Sequence, residues 1–175
     1  MAEKHIGDRI LRLVRGDITD LEVEAFVFDI TEDVKLGSGY GGAIQQRGGI
    51  VIQKKLDKIG SCPTGEAVVT EAGILKADWI IHANGPKFRE EDEEAKLRTT
   101  VQSALAVANE KGVKRLAFPP IGTGLYQVPL DLCSRVMVDT ISEHLTNGST
   151  LEEVLIVAPD PREFEPFKAK FEEGA

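Results

Sequence analysis

Apolar and basic residues alternate along Ile10–Val14, the period of two that marks a half-buried strand. Ala25–Asp29 is a short, almost unbroken apolar run, as a strand covered on both faces requires. Ala67–Thr70, Trp79–His82, Arg115–Pro119 and Val154–Ala158 predict four more strands, the last two stopped by proline. Helical spacing fills the gaps. Leu97, Val101, Leu105 and Ala108 form one stripe that Gly112 ends, and Leu132, Cys133, Val136, Met137, Ile141 and Leu145 form another that ends at Asn147–Gly148. Ile44–Ile59 reads as helix interrupted at Gly48–Gly49, hence as two short helices. Pro161–Phe171 predicts a terminal helix with Phe164, Phe167 and Phe171 on one side. The first residues, with His5, read as a tail. Strands alternating with helices predict one domain over residues 1–175, a three-layer α/β/α sandwich about a central mixed sheet.

Composition narrows the partners. A chain of 175 residues can bury a core of its own, and 42% hydrophobic with 29% charged residues excludes global disorder. Twenty-one Lys and Arg against 29 Asp and Glu leave a net charge of −8, a field that repels duplex DNA and RNA. No apolar run approaches the ~20 residues of a membrane span, and the start lacks the apolar core of a secretion signal, so a cytoplasmic location is expected. Arg89–Glu94 reads as a solvated loop and helix start. Cys62 and Cys133 stand in no CxxC pair and no metal-ligand spacing, so two reduced thiols, no metal and no cofactor are expected. Cys133 falls on an apolar helix face and Cys62 in a loop.

Chemistry-bearing residues gather at three predicted strand ends, the edge where open α/β sheets bind ligands. Asp17, in Gly16-Asp17-Ile18-Thr19, is either an acceptor for an exocyclic amine or, more simply, a turn or helix cap. Gly37, Gly39, Gly41 and Gly42, with Tyr40, form a glycine loop before Ile44; main-chain N–H groups there can face an anion, or the loop is merely flexible. Its GxGxxG spacing is not a dinucleotide fingerprint, because seven residues separate Asp29 from Gly37 and Asp57 falls in a helix. The third segment runs through Ile121, Gly122, Thr123, Gly124, Leu125 and Tyr126, with Pro129 opening a helix. Thr123 offers a hydroxyl donor and Tyr126 a ring for a sugar. Two such loops suit a diphosphate held through amides rather than cations.

These segments, in this order, resemble the macrodomain family from about Ile10 to Phe171. Val23-Glu24-Ala25-Phe26-Val27, Thr64-Gly65-Glu66-Ala67, Ile80-Ile81-His82, Gly85-Pro86 and Ala117-Phe118-Pro119 complete the likeness. The resemblance implies an α/β/α sandwich with a cleft for ADP-ribose. It implies that Asp17 binds the adenine amine and Ile18 a ring nitrogen through its backbone. The loop around Gly39, Tyr40, Gly41 and Gly42 would cover the proximal ribose and diphosphate, with Gly122 to Tyr126 on the other side. Val157–Asp160 is the region expected to stack on adenine.

The family's hydrolytic members carry Asn-Ala-Ala-Asn where this chain has Phe28-Asp29-Ile30-Thr31, and an aspartate where it has Gly41. A second class uses a lysine and an aspartate. Glu32–Gly39 is similar to that class's first loop, but its lysine region is Gln45-Gln46-Arg47 here and its aspartate position is Tyr126. Neither catalytic set is intact. The expected function is therefore binding of ADP-ribose, free or as the end of a protein modification, with the ADP-ribosylated protein as partner. The alternative is a deacetylase of O-acetyl-ADP-ribose or an ADP-ribosyl hydrolase with a different catalytic set. Asp29 is then the candidate general base, although capping of a strand end is its preferred reading; Thr31, Asp33 and Lys35 are polar neighbours. His82 reads as a hydrogen-bonded, partly buried histidine rather than a base. A vestigial domain, in which Phe28 fills the distal ribose space and no nucleotide binds, is the third reading.

Overall fold

The structure is a computed structural model that describes residues 1–37, 40–124 and 126–173, with only the main chain of Tyr40. Seven strands form one sheet: β1 (Ala2–Ile6), β2 (Arg9–Arg15), β3 (Ala25–Asp29), β4 (Ala67–Glu71), β5 (Trp79–Ala83), β6 (Arg115–Phe118) and β7 (Glu153–Ala158). Their spatial order is β1-β2-β7-β6-β3-β5-β4. The five central strands run parallel, while β1 and β4 pair antiparallel at the two edges. The helices are α1 (Tyr40–Gly48), α2 (Val51–Ile59), α3 (Glu93–Glu110), α4 (Leu130–Thr146) and α5 (Pro161–Glu173).

Strand alternation sorts the core into two layers. Ala25 and Val27 of β3 face the helix layer of α3, α4 and α5, where Leu105, Val136 and Phe167 are buried. Phe26 and Phe28 face the other way, onto Ile44 of α1 and Ile52 and Leu56 of α2. The expected three-layer sandwich with a mixed sheet is the observed fold.

Three local expectations are corrected. His5 is not in a tail: β1 pairs with β2, setting His5 opposite Ile10. Glu3, Lys4 and His5 make β1 a polar edge strand, a composition that blunts an open sheet edge and hides the strand from an apolar-pattern reading. The first helix begins at Tyr40, so Gly41 and Gly42 lie in its first turn and not in the preceding loop. A Cβ on Gly41 would stand 1.7 Å from the Leu36 carbonyl oxygen, so this close approach admits only glycine. His82 is wholly buried rather than partly, and among the described residues only one of its ring nitrogens has a partner. The break at Gly48–Gly49 is where the spacing placed it.

Candidate functional site

The carboxyl ends of β2, β7, β6 and β3 lie side by side, and one cleft opens across them. Gly16 and Ile18 follow β2, Val157 and Pro159 close β7, Pro119 and Pro120 follow β6, and Phe28 and Asp29 end β3; all line it, as do Thr123, Gly124 and Glu163. The cleft encloses about 100 Å³. A broader depression of about 720 Å³ lies at the opposite strand edge, around Arg9, Lys114 and Ser149. Its Arg9 and Ser149 side chains are taken up in tying the chain together: Arg9 donates to the carbonyls of Ser149 and Leu151, and Ser149 bonds His144 and Asn109. The carboxyl edge, where the motifs converge, is therefore the candidate site.

Asp17 caps the 3-10 turn Ile18–Asp20. Its Oδ1 accepts from the Thr19 N–H at 2.9 Å and the Thr19 hydroxyl at 2.7 Å. Arg47 of α1 donates to Asp17 Oδ2 at 2.9 Å and to Thr19 Oγ1 at 2.8 Å. Partial burial works against ionisation of Asp17, but the Thr19 bonds and the Arg47 charge outweigh it and hold the pKa below the usual carboxylate range. The capping reading is thus realised, with acceptor capacity left on Oδ2.

Asp29 lies on the cleft floor. The Gly122 N–H donates to both of its oxygens, 3.2 Å to each. Burial pushes its pKa up to about 7; the Gly122 bond pulls against this and the neighbouring Glu163 charge adds to it. Glu163, 7% exposed, accepts the Thr123 hydroxyl on Oε1 at 2.8 Å. Gly122 has φ +76, and a Cβ there would come within 2.9 Å of Val128, so the turn that presents its amide to Asp29 needs glycine.

The structure brings together Asp29, Gly122, Thr123 and Gly124, with Ile18 on the wall near Asp17. It does not bring Ile121 to the cleft: that side chain is fully buried and its N–H meets Met137 Sδ at 3.5 Å. Tyr126 is half-buried and donates its hydroxyl to Asn84 Oδ1 at 3.2 Å, and the Lys87 ammonium lies 5.7 Å from its ring centre. Gly41 and Gly42 sit in α1 and are not among the described lining residues. Gly39, Leu125 and the side chain of Tyr40 lie outside the described residues. Of the other polar candidates, Thr31 bonds Asp33, and Lys35 pairs with Asp57 on α2 at 2.9 Å, at the exposed surface.

Two residues escaped the sequence reading. Glu163 follows Asp160 by three positions, and its N–H donates to Asp160 Oδ1 at 2.9 Å, so in sequence it is indistinguishable from an ordinary helix-start acid. Arg47 carries no local signal, because its partners come from a segment far back in the chain.

The Macro domain family model matches residues 30–137. The chain belongs to the macro domain family. A macro domain-containing protein of Caldanaerobacter subterraneus is 37% identical, covering 93% of this chain and 96% of the relative. A protein named O-acetyl-ADP-ribose deacetylase 1 from Pantoea vagans is 34% identical, over 89% and 94%. The Trypanosoma brucei macrodomain solved in complex with ADP-ribose superposes with a TM-score of 0.85 at 25% identity, covering 91% of this chain and 68% of that one. In this macro domain, Phe28 is 7% exposed and lines the cleft beside Asp29. No helix among the described residues is long and apolar enough to cross a membrane.

Proposed function

We propose that this macro domain binds ADP-ribose, free or as the terminal group of a modified protein, across the carboxyl ends of its parallel strands. The observation that carries the reading is convergence: four strand ends and the Gly122–Gly124 turn meet at one cleft, with the Asp17 carboxylate at its β2 end. Asp17 Oδ2 takes the adenine amine, and the main chain of Ile18 a ring nitrogen. The turn at Gly124 and the first turn of α1 face the diphosphate. The ADP-ribose complex of the Trypanosoma brucei relative supports the ligand class. Isothermal titration with ADP-ribose tests it, with AMP, ADP and NAD for comparison. The expected order is ADP-ribose tightest and AMP weakest; absence of ADP-ribose binding overturns the proposal.

A second reading, hydrolysis of ADP-ribosyl derivatives, is favoured by one observation: Asp29 stands in the cleft with a pKa of about 7, suited to a general base. The name of the Pantoea vagans relative supports this class of reaction. Incubation with O-acetyl-ADP-ribose and with mono-ADP-ribosylated protein distinguishes the two readings. Turnover that is lost in Asp29→Ala establishes the hydrolase; absence of released acetate or ADP-ribose leaves a binding module.

A further inference from the structure

The sheet has two edges, and only one is blunted. β1 carries Glu3, Lys4 and His5, whereas β4 reads Ala67-Val68-Val69-Thr70 before its one acid, Glu71, with no proline or glycine. The pairing of β4 shows which of its main-chain groups are spare. The Asn84 N–H donates to the Glu66 carbonyl and the Ala72 N–H to the Asp78 carbonyl, each at 3.0 Å, in the register that sets Ala67 opposite Ala83. In an antiparallel ladder every second residue turns its N–H and C=O toward the neighbouring strand. Even-numbered positions of β4 therefore face β5. Ala67, Val69 and Glu71 turn theirs to the open edge, where none meets a partner among the described residues.

The charge beside this edge is opposite to that of the chain as a whole, which is −8. Val51, Lys55, Lys58 and Ile59 share one face of α2, since they recur at helical spacing, and none of them is buried. Lys55 donates to Glu71 Oε2 at 2.8 Å, which sets this face along the β4 edge. Lys58 makes no ion pair among the described residues. On the other layer, the Lys111 ammonium lies 4.4 Å from the ring centre of Trp79, the residue opposite Glu71. Cations thus flank the edge from both faces of the sheet. The Lys55–Glu71 pair is solvent-exposed and contributes little, so a competing carboxylate displaces it at small cost.

We propose that the β4 edge docks an extended, acidic peptide segment of another protein, which adds to the sheet as a further strand. The main-chain groups of Ala67, Val69 and Glu71 supply its hydrogen bonds, and the alternation of its side chains supplies specificity. Acids on one face of the peptide meet Lys55 and Lys58 of α2. Apolar side chains on its other face lie beside Ala67 and Val69, which pack on the α3 layer. A second copy of this chain fits the edge less well. Antiparallel pairing of β4 with its own copy would bring the two α2 helices together on the same face of the joined sheet, lysines against lysines. In the sheet order β5 separates β4 from β3, the last strand of the carboxyl-edge cleft, so this surface stands apart from the ADP-ribose reading and does not depend on it.

The probe is a short fluorescent peptide of alternating valine and glutamate, titrated into the whole chain and followed by anisotropy and by amide NMR. Two controls carry lysine for glutamate, or methyl groups on alternate main-chain nitrogens. The amides of Ala67, Val69 and Glu71 are expected to shift and gain exchange protection, while those of Gly122 and Gly124 stay unchanged. Both control peptides are expected to bind about tenfold more weakly. Val69→Pro removes the central outward N–H and keeps the bonds to β5, a change edge strands tolerate; it is expected to weaken binding about tenfold with a melting temperature close to the parent. Lys58→Glu, which breaks no ion pair, is expected to weaken it about threefold. Saturating ADP-ribose should leave the peptide affinity unchanged. Absence of peptide binding overturns the proposal, as does equal binding of the methylated peptide, or unchanged affinity in a folded Lys58→Glu. A dimer formed through the same amides without peptide assigns the edge to a second copy and overturns it too. Failure of ADP-ribose to bind the cleft would leave each of these outcomes as it is.

Discussion

Gly122 gives its one N–H to both oxygens of Asp29, 3.2 Å to each, and so ties the end of β3 to the turn between β6 and α4. The bond crosses the middle of the carboxyl edge and fixes the cleft floor. It also explains why an acid is tolerated beside Glu163: the amide supplies a partial positive charge where no Lys or Arg is among the described lining residues.

The protonation of Asp29 should appear in stability. Its folded pKa of about 7 lies above the ordinary 3.8, so the folded chain holds a proton that the unfolded chain has released between roughly pH 4 and 7. The contribution is present in full below that window and is lost as pH rises through it. The loss is on the order of 4 kcal/mol at most, given about 1.4 kcal/mol per pKa unit. Denaturant unfolding of the parent chain and of Asp29→Asn, each at pH 5 and pH 8, checks this. The parent is expected to lose more stability between the two than the Asn variant, in which the group does not titrate.

His82 predicts the opposite slope. It is fully buried on β5, with Nε2 at 2.9 Å from Thr70 Oγ1 and Nδ1 without a partner among the described residues. Burial lowers its pKa to about 3. The neutral ring is favoured by folding, so this contribution is full above pH 6.5 and falls as pH drops toward 3. The imidazole resonances of His82 are expected to stay fixed from pH 8 to pH 5. A midpoint inside that range would show that the ring is solvated or paired, and would reopen it as a base.

The strands with apolar runs, such as Ala-Phe-Val-Phe in β3, were legible because burial on both faces leaves no other residue choice. The polar edge strand β1 was not, because one buried residue in two, at intermediate depth, makes too faint a pattern. At the candidate cleft, the positions of Asp17, Asp29 and the Gly122–Gly124 turn were legible because each lies at or within a few residues of a strand end. Their partners were not. Asp17 meets Arg47, and Thr123 meets Glu163, across gaps in sequence that only the packing of α1 and α5 on the sheet closes. Glycines misled in both directions: Gly41 reads as loop flexibility but is a steric requirement of a helix start, whereas Gly124 has open space around it.

That contrast makes Gly41→Asp a sharp case. The substitution places in this chain the aspartate of the family's hydrolytic members, but its Cβ falls 1.7 Å from the Leu36 oxygen and 2.7 Å from the Leu36 carbonyl carbon. The start of α1 must shift to admit it. A loss of about 1–3 kcal/mol of stability is expected, the usual cost of overpacking. No turnover of ADP-ribosylated protein should be gained. Thermal unfolding and a release assay on the same preparation check both parts, and a stable variant that gains turnover would contradict the packing argument.

The proposed binding edge is best tested by two substitutions at opposite ends of the cleft, chosen because their structural costs differ. Asp17→Ala removes the acceptor proposed for the adenine amine, together with the cap of the 3-10 turn and the partner of Arg47. Losing a charge-assisted hydrogen bond predicts an affinity for ADP-ribose weaker by about 1.5–3 kcal/mol. The half-exposed Asp17–Arg47 pair itself contributes little, about 0–1 kcal/mol, so Arg47→Ala should leave stability nearly unchanged and separates the ion pair from ligand recognition. Gly124→Val acts differently. The new side chain has free space and an ordinary backbone conformation, so folding should persist, yet under the proposed ADP-ribose reading its methyl groups obstruct the approach of the diphosphate to the main chain. Calorimetry is expected to show weakened ADP-ribose binding in Asp17→Ala and Gly124→Val with melting temperatures close to the parent for the latter. Unchanged affinity in both would move the ligand off the carboxyl edge of the sheet altogether.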